Sequence, residues 1–456
     1  MISLSLSTLA AHLDASLVGQ DVTIKAISTD SREVDADTLF VALRGERFDA
    51  HDFAQTAVNN GARALLVERE LPVAVPQLVV ANSQKAMGQI GAYIKQTIAP
   101  KSVALTGSNG KTSVKEMVAT ILSQSHSVLY TAGNFNNEVG VPLTLLRLEP
   151  QHEYGVFELG ANHLGEINYT SSLVQPDVAM VNNVASAHLE GFGSLEGVAK
   201  AKSEIFNHLA ADGIAVINGD DEFADVMRKA AKAYRQLSFS SQGQVADVSA
   251  TELHADIVGR YQFQLTYKDE VRPVILPLSG RHQVSNALAA TSICLALGLS
   301  LDEIVAGLKL LTPVKGRMLP IQLGRILLID DSYNANPASV GAAIDWLQEI
   351  EGNRCIVLGD LGELGDNAAL LHRQLGEKAK LQGIDALFSL GELSRNSSEA
   401  FSGQHFTHLD ELVVGLINYF NQLTGNVTVL VKGSRSAKME RVVEALNVAF
   451  ERKELF

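Results

Sequence analysis

Cysteine is nearly missing from this 456-residue sequence: Cys294 and Cys355 stand far apart, each inside an apolar segment. That excludes a disulfide framework or a cysteine-based zinc site and predicts buried thiols in a reducing cytoplasm. Long hydrophobic runs are missing too. No stretch reaches the ~18 apolar residues of a membrane span, and the start, Met1 to Gly19, lacks a basic leader and carries His12 and Asp14. A soluble, unexported chain without membrane insertion is expected. Positive charge is short: 37 Lys and Arg against 51 Asp and Glu leave a net charge of −14. A broad nucleic-acid or anionic-membrane surface is thereby excluded, so anionic ligands must be held by local devices.

What is present suits globular α/β domains. Hydrophobic residues make up 46% of the chain, 36 positions are glycine, and the length fits about three domains. Strand-like runs at Thr38 to Leu43 and Ala64 to Val67 flank a helix-like stretch from Asp52 to Asn60, predicting a small α/β domain over 1–84. A helical stretch from Lys85 to Gln96 leads into a second domain, 85–314. Its apolar runs at Tyr154 to Leu159, Val178 to Val181 and Ile214 to Ile217 alternate with helices and predict a mostly parallel sheet. After Pro313 the pattern restarts. Ile326 to Ile329, Cys355 to Leu358, Ala386 to Leu390 and Val427 to Val431 read as buried strands followed by helices, a doubly wound, Rossmann-like domain over 315–456.

The strongest chemical signal is at 101–114, where an apolar strand enters a glycine-rich turn and a helix begins. Gly107 and Gly110 let backbone N–H groups point inward, Lys111 supplies a mobile positive charge, and Thr112 offers a hydroxyl to Mg2+. With Thr106, Ser108, Asn109 and Ser113 they form a cradle for a nucleoside triphosphate. Leu105 stands where the usual phosphate loop has its first glycine, so the loop is a variant; a plain turn with a solvated lysine is the competing reading.

Ligands of parallel sheets gather at the carboxyl ends of strands. Glu158 ends one strand and is a candidate Mg2+ ligand, against the plainer reading of a surface acid. His188, after the strand Val178 to Val181, is either a ligand for a second Mg2+ or a structural imidazole. Lys202 shares a helical stripe with Val198, Ile205, Phe206 and Leu209, while Lys200 and Glu204 point the other way. Burial lowers the pKa of such a lysine, and the neutral amine reacts with CO2 to give a carbamate, an oxygen ligand for a metal. The alternative is a packed stem with its ammonium in water. Asn286, in a polar turn that opens an apolar helix, is the best candidate for meeting a nucleobase. Asp330 to Pro337 and Lys432 to Ser436 each lie between a strand and a helix and face the strand-end crevice, whereas the glycines of Gly359 to Gly365 lack dinucleotide-binding spacing and read as a turn.

Together these motifs, spread over all three segments, resemble those of the Mur ligase family, ATP-dependent enzymes that form amide bonds in peptidoglycan synthesis. The resemblance accounts for the shortened phosphate loop and implies ATP and Mg2+ as cofactors. Thr112, Glu158, His188 and a carbamylated Lys202 fall at its metal sites, and Lys111, Glu158, His188 and Lys202 at its catalytic positions. It implies that Arg317, in Lys-Gly-Arg-Met, and Asp331 reach the nucleotide from the third domain. Gln283 replaces an asparagine of the adenine-side motif. The stretches Gly133 to Pro142, Glu158 to His163 and Ala187 to Gly193 look like the member that adds D-alanyl-D-alanine to UDP-N-acetylmuramoyl-tripeptide.

Substrate contacts follow from the same likeness. Thr29 to Arg32 and Asp49 to His51 resemble the UDP-sugar site, with Ala50 replacing the usual glycine, so Ser31, Arg32, Asp49 and His51 are implied contacts. Asn134, Asn136 and Asn137, with Asn334, Asn336, Lys432 and Arg435 on the dipeptide side, complete the set. A monomer whose third domain swings onto the second is expected. Two alternatives stand beside this reading: the member that adds a diamino acid to the UDP-muramoyl dipeptide, and a phosphate-loop regulatory module that holds nucleotide without a second substrate.

Overall fold

The computed structural model describes residues 1–45, 48–186 and 189–452. Three sheets follow one another along the chain, with one further strand pair, Leu4–Ser5 against Thr23–Ile24, at the start. The first has five strands, in spatial order Ser16–Val18, Gln77–Val79, Ala64–Val67, Thr38–Val41 and Ala26–Ser28. All are parallel but the first.

The second sheet has nine strands. Seven parallel strands run from Val128–Tyr130 through Tyr154–Glu158, Lys101–Thr106, Val178–Val181, Ile214–Asn218 and Arg235–Ser240 to Val248–Ala255. Arg260–Tyr267 and Glu270–Ser279 then extend it antiparallel. Helices cover both faces, as continuous apolar strands require. Along Lys101–Thr106, Val103 and Leu105 enter one core with Val114 and Met117 of helix Lys111–Leu122, while Ala104 enters the other with Phe157 and Ala179.

The third sheet runs Leu319–Leu323, Ile326–Asp331, Val427–Lys432, Asn353–Gly359, Ala386–Leu390 and Gln404–Phe406, antiparallel only at its first strand. Pro320 sits on that edge strand, where no neighbour needs its missing N–H.

The cores do not divide as the sheets do. One apolar cluster runs from Leu4 and Leu66 of the first sheet region, through Ala86, Met87, Ile90 and Ile94 of helix Ser83–Ile98, to Phe157 and Met227 of the second. The third region packs around clusters of its own. No helix among the described residues is long and apolar enough to cross a membrane.

Candidate active site

Register sets up the phosphate loop. Strand Lys101–Thr106 lies between its two neighbours with Leu105 opposite Glu158 and Thr106 opposite Val181, so three carboxyl ends share one rim. Gly110 then turns the chain at φ +78 into helix Lys111–Leu122. A Cβ there would lie 2.5 Å from both Asn182 Nδ2 and Asn286 Oδ1, so the position tolerates only glycine. Asparagines brace the loop: Asn109 N–H donates to Asn183 Oδ1 at 2.8 Å, and the Nδ2 atoms of Asn182 and Asn183 donate to Asn109 O at 2.9 and 3.0 Å. Asn182 Nδ2 also donates to Asn286 Oδ1 at 3.0 Å, and Asn286 Nδ2 donates to Gln283 Oε1 at 3.0 Å. Gln283 thus holds Asn286 from behind.

Lys111 Nζ donates to Gly107 O at 2.6 Å, folding the lysine over the loop. Burial pushes its pKa down, Glu158 opposes the fall and Arg317 adds to it, which places the third sheet region's Arg317 within electrostatic reach of the loop. Glu158, only 2% exposed, accepts from Thr112 Oγ1 on one carboxylate oxygen (3.0 Å) and from Asn136 Nδ2 on the other (2.8 Å). Its N–H donates to Thr131 Oγ1 at 3.0 Å, and the Thr131 carbonyl accepts from Lys115 Nζ at 2.8 Å. Lys115 is a supporting residue that sequence reasoning missed; its signal was an i+4 position from Lys111 on a face that is otherwise apolar.

Lys202 is 2% exposed near the end of helix Leu195–Ser203 and borders the same cleft. Burial, reinforced by the charge of Lys111, pushes its pKa well below the usual lysine range. Lys200 is exposed as expected. Glu204 is half-buried: the chain tightens into a 3-10 turn at Glu204–Phe206, and its carboxylate accepts from the N–H groups of Gly165 and Asn168 at the start of helix Glu166–Val174. His188 lies outside the described residues.

These groups line a cavity of about 520 Å³ between the second and third sheet regions. One wall holds Ser108 to Ser113, Asn134, Asn136, Asn137, Glu158, Lys202 and Asn286; the other holds Arg317, Asp331, Asn334, Asn336, Lys432 and Arg435. Thr106 is wholly buried behind the loop, its hydroxyl without a partner among the described residues. Residues 331 and 432 are register partners on adjacent parallel strands, and Lys432 Nζ meets Asp331 Oδ2 at 2.6 Å and Asn334 O at 3.2 Å. Asn336 crosses the cavity, donating from Nδ2 to Asn109 Oδ1 at 2.8 Å. Sequence reasoning also passed over Tyr333, whose ring carries the guanidiniums of Arg317 (4.4 Å) and Arg435 (5.6 Å).

Ser31, Arg32, Asp49 and His51 do not line this cavity. Arg32 is exposed and pairs with Asp30 at 2.6 Å, holding that carboxyl down to about 2. The expectation of a direct ligand contact by the His51 ring is corrected by its burial: Nε2 accepts from Glu68 N–H at 2.8 Å, so Nδ1 carries the proton and donates to Asp49 Oδ1 at 2.5 Å. The ring has no nitrogen left for a ligand. Asp49, held down to about 2 by the His51 N–H and the His51 and Arg69 side chains, is the group His51 positions.

Comparison with known proteins matches the chain to one family along nearly its whole length. Family models match residues 23–105 (Mur ligase family, catalytic domain), 105–294 (Mur ligase middle domain) and 316–435 (Mur ligase, glutamate ligase domain). The chain is 49% identical, over 98% of its own length and 99% of the relative's, to UDP-N-acetylmuramoyl-tripeptide–D-alanyl-D-alanine ligase of Escherichia coli (strain K12). A crystal structure of MurF from Acinetobacter baumannii superposes with a TM-score of 0.94 at 40% identity, covering 98% of this chain and 99% of that one. The MurF ligase of Thermotoga maritima in complex with ADP gives 0.85 at 29% identity, covering 94% and 98%. With family models matched over residues 23–294 and 316–435 and full-length relatives over 98% of its length, the protein belongs to the Mur ligase family.

Proposed function

We infer that the chain is an ATP-dependent ligase that joins D-alanyl-D-alanine to UDP-N-acetylmuramoyl-tripeptide in the synthesis of peptidoglycan precursors. The 49% identity to the Escherichia coli enzyme of that name, spread over 98% of the chain, carries the reading. A carboxylate is a poor electrophile; taking the γ-phosphoryl group of ATP makes it an acyl phosphate, which the dipeptide's amine attacks with release of phosphate.

The chain's own groups suit that chemistry. The loop amides and Lys111 hold phosphate oxygens and neutralise their charge. Thr112 and Glu158, 3.0 Å apart, form an oxygen pair of the kind Mg2+ takes alongside phosphates and water. No three His, Cys, Asp or Glu side chains converge as a cage among the described residues, so phosphate oxygens would complete the shell. Mg2+ would supply charge neutralisation there. A carbamate on Lys202 and the imidazole of His188 are the proposed further ligands.

Asn286 is assigned to the adenine side, and Arg317 and Asp331 to the nucleotide from the third domain. Asn134, Asn136 and Asn137 are assigned to the tripeptide, and Asn334, Asn336, Lys432 and Arg435 to the dipeptide. Residues 1–84 are assigned to the UDP-sugar, through Ser31, Arg32 and Asp49 with His51 behind it, 85–314 to ATP, and 315–456 to the dipeptide and to closure. A monomer suffices, since one chain supplies both walls of the cavity. The free thiols of Cys294 and Cys355 and the need for ATP favour the cytoplasm.

Incubation with ATP, Mg2+, D-alanyl-D-alanine and UDP-N-acetylmuramoyl-tripeptide tests the reading. The expected product has the summed mass of both acceptor and dipeptide less one water, with one phosphate released per bond. Product formed only from the UDP-muramoyl dipeptide and a free diamino acid would transfer the chain to the neighbouring activity. Nucleotide hydrolysis indifferent to any peptide would reject both ligase readings.

A further inference from the structure

Two arginines assigned above to different ligands share one aromatic ring. Arg317 is within electrostatic reach of Lys111, so it belongs to the phosphate-loop side. Arg435 belongs to the other side: its N–H donates to Asn334 Oδ1 at 3.2 Å, beside the Asn334 carbonyl that Lys432 contacts. Their guanidinium carbons lie 4.4 and 5.6 Å from the centre of the Tyr333 ring, inside the ~6 Å range over which a cation is attracted by an aromatic face.

The ring is itself anchored. Tyr333 follows strand Ile326–Asp331 by two residues, and its N–H donates to Gly316 O at 3.2 Å. Gly316 has φ +74 and no room for a side chain, since a Cβ would come within 2.9 Å of Tyr333 Cβ. The tyrosine hydroxyl has no hydrogen-bond partner among the described residues, so the aromatic face is what the site uses. Two like charges repel; Arg435 is paired with Glu440 Oε1 at 3.1 Å, whereas Arg317 has no carboxylate of its own within ion-pair distance among the described residues. A shared ring offsets part of that repulsion while leaving for ligands the N–H donors of Arg317 and those of Arg435 that Glu440 does not take.

We propose that Tyr333 is a positioning residue that orients Arg317 toward the nucleotide and Arg435 toward the incoming dipeptide, so that both grips depend on one ring. The proposal rests on the assignments of Arg317 and Arg435 made above. Tyr333→Leu keeps bulk but removes the aromatic face, and Tyr333→Phe keeps the face and drops the unpartnered hydroxyl. In the full-length enzyme, Tyr333→Leu is expected to raise KM for ATP and for D-alanyl-D-alanine about three- to tenfold each, the size of a lost cation–π contact. KM for the UDP-muramoyl tripeptide should stay within about twofold, and Tyr333→Phe should match the wild type.

A loosened fold would move all three KM values together, and that result overturns the proposal. So does a change in only one of the two predicted constants, or a Phe variant as impaired as Leu. If the Leu variant fails to fold, pentafluorophenylalanine at 333 keeps the ring's shape and reverses the charge of its face, and must produce the same two increases. Arg317→Gln and Arg435→Gln separate the two levels of argument. If they leave KM for ATP and dipeptide unchanged, the ligand assignments fail; if they raise them while Tyr333→Leu does not, only the role of the ring fails.

Discussion

Lys202 shows what a single residue in a sequence can and cannot disclose. Its place on an apolar helical stripe was legible, and the structure leaves it 2% exposed. The same periodicity turned Glu204 away from that stripe; what it did not record is that helix Leu195–Ser203 tightens into a 3-10 turn, whose larger angular step per residue sets the direction of the side chains that follow. The likeness of Asp49 to His51 to a UDP-sugar site implied a contact at His51, but only the fold reveals that Glu68 N–H occupies the ring's second nitrogen. For Lys202 the consequence is chemical, since burial and the nearby Lys111 charge favour the neutral amine, the form whose nitrogen bonds to CO2 and sheds a proton to become a carbamate. Lys202→Ala should lower kcat on the order of a hundredfold or more, as removal of one charge-stabilising group does, with partial recovery in short carboxylic acids. Protein kept in 13C-bicarbonate should show a carbamate carbon signal that the variant lacks. Full activity in Lys202→Ala would dismiss the carbamate.

Among elements, the parallel strands were readable because burial on both faces leaves continuous apolar runs such as Val178 to Val181. The antiparallel extension was not read, although Tyr261, Phe263 and Leu265 alternate with Arg260, Gln262 and Gln264 in the period of a half-exposed strand. Helix Pro337–Gln348 carries the element-level surprise. Asn336 was expected only as a ligand contact, yet its Oδ1 caps this helix through Ser339 N–H at 2.9 Å while its Nδ2 reaches the phosphate loop at Asn109. One side chain thus fixes the start of a helix and joins it to the nucleotide cradle. The two jobs can be separated. Asn336→Ser retains a good N-cap but is too short for the bond, so its melting temperature should stay near wild type while kcat/KM for ATP falls about fivefold, one hydrogen bond's worth. Asn336→Ala should lose both, with a stability cost of about 1 kcal/mol. Wild-type kinetics in the Ser variant would show that the crossing bond is incidental.

For the molecule as a whole, the arrangement of cores decides which parts move together. The first two sheet regions share one apolar cluster through helix Ser83–Ile98, whereas the third has cores of its own and meets the second across a polar cavity. Domain closure was expected from the chemistry, but this two-against-one division lies in long-range packing that local periodicity does not record. A small contact sits where the third region leans on the second: Tyr261 Oη donates to Glu349 Oε2 at 2.8 Å, and Gly259, at φ +71, backs onto Trp346, the only tryptophan of the chain. Burial and Glu349 push the Tyr261 phenol up to about 12, so it stays a donor through the physiological range. Trp346 is 2% exposed, and its Nε1 has no hydrogen-bond partner among the described residues, so any tilt of the third region that admits water would change its emission. Gly259→Ala is the wedge that tests this. Its Cβ would lie 2.2 Å from Trp346 Nε1, on a backbone conformation that also disfavours a side chain. The variant should show red-shifted tryptophan emission and a larger radius of gyration by X-ray scattering without ligands, and an ATP KM raised several-fold because Arg317 and Asn336 are carried away from the loop. Saturating ATP with UDP-muramoyl tripeptide should reverse much of the spectral shift, since ligand binding favours the closed arrangement. Unchanged emission and dimensions in Gly259→Ala would mean that this contact does not set the angle between the two halves.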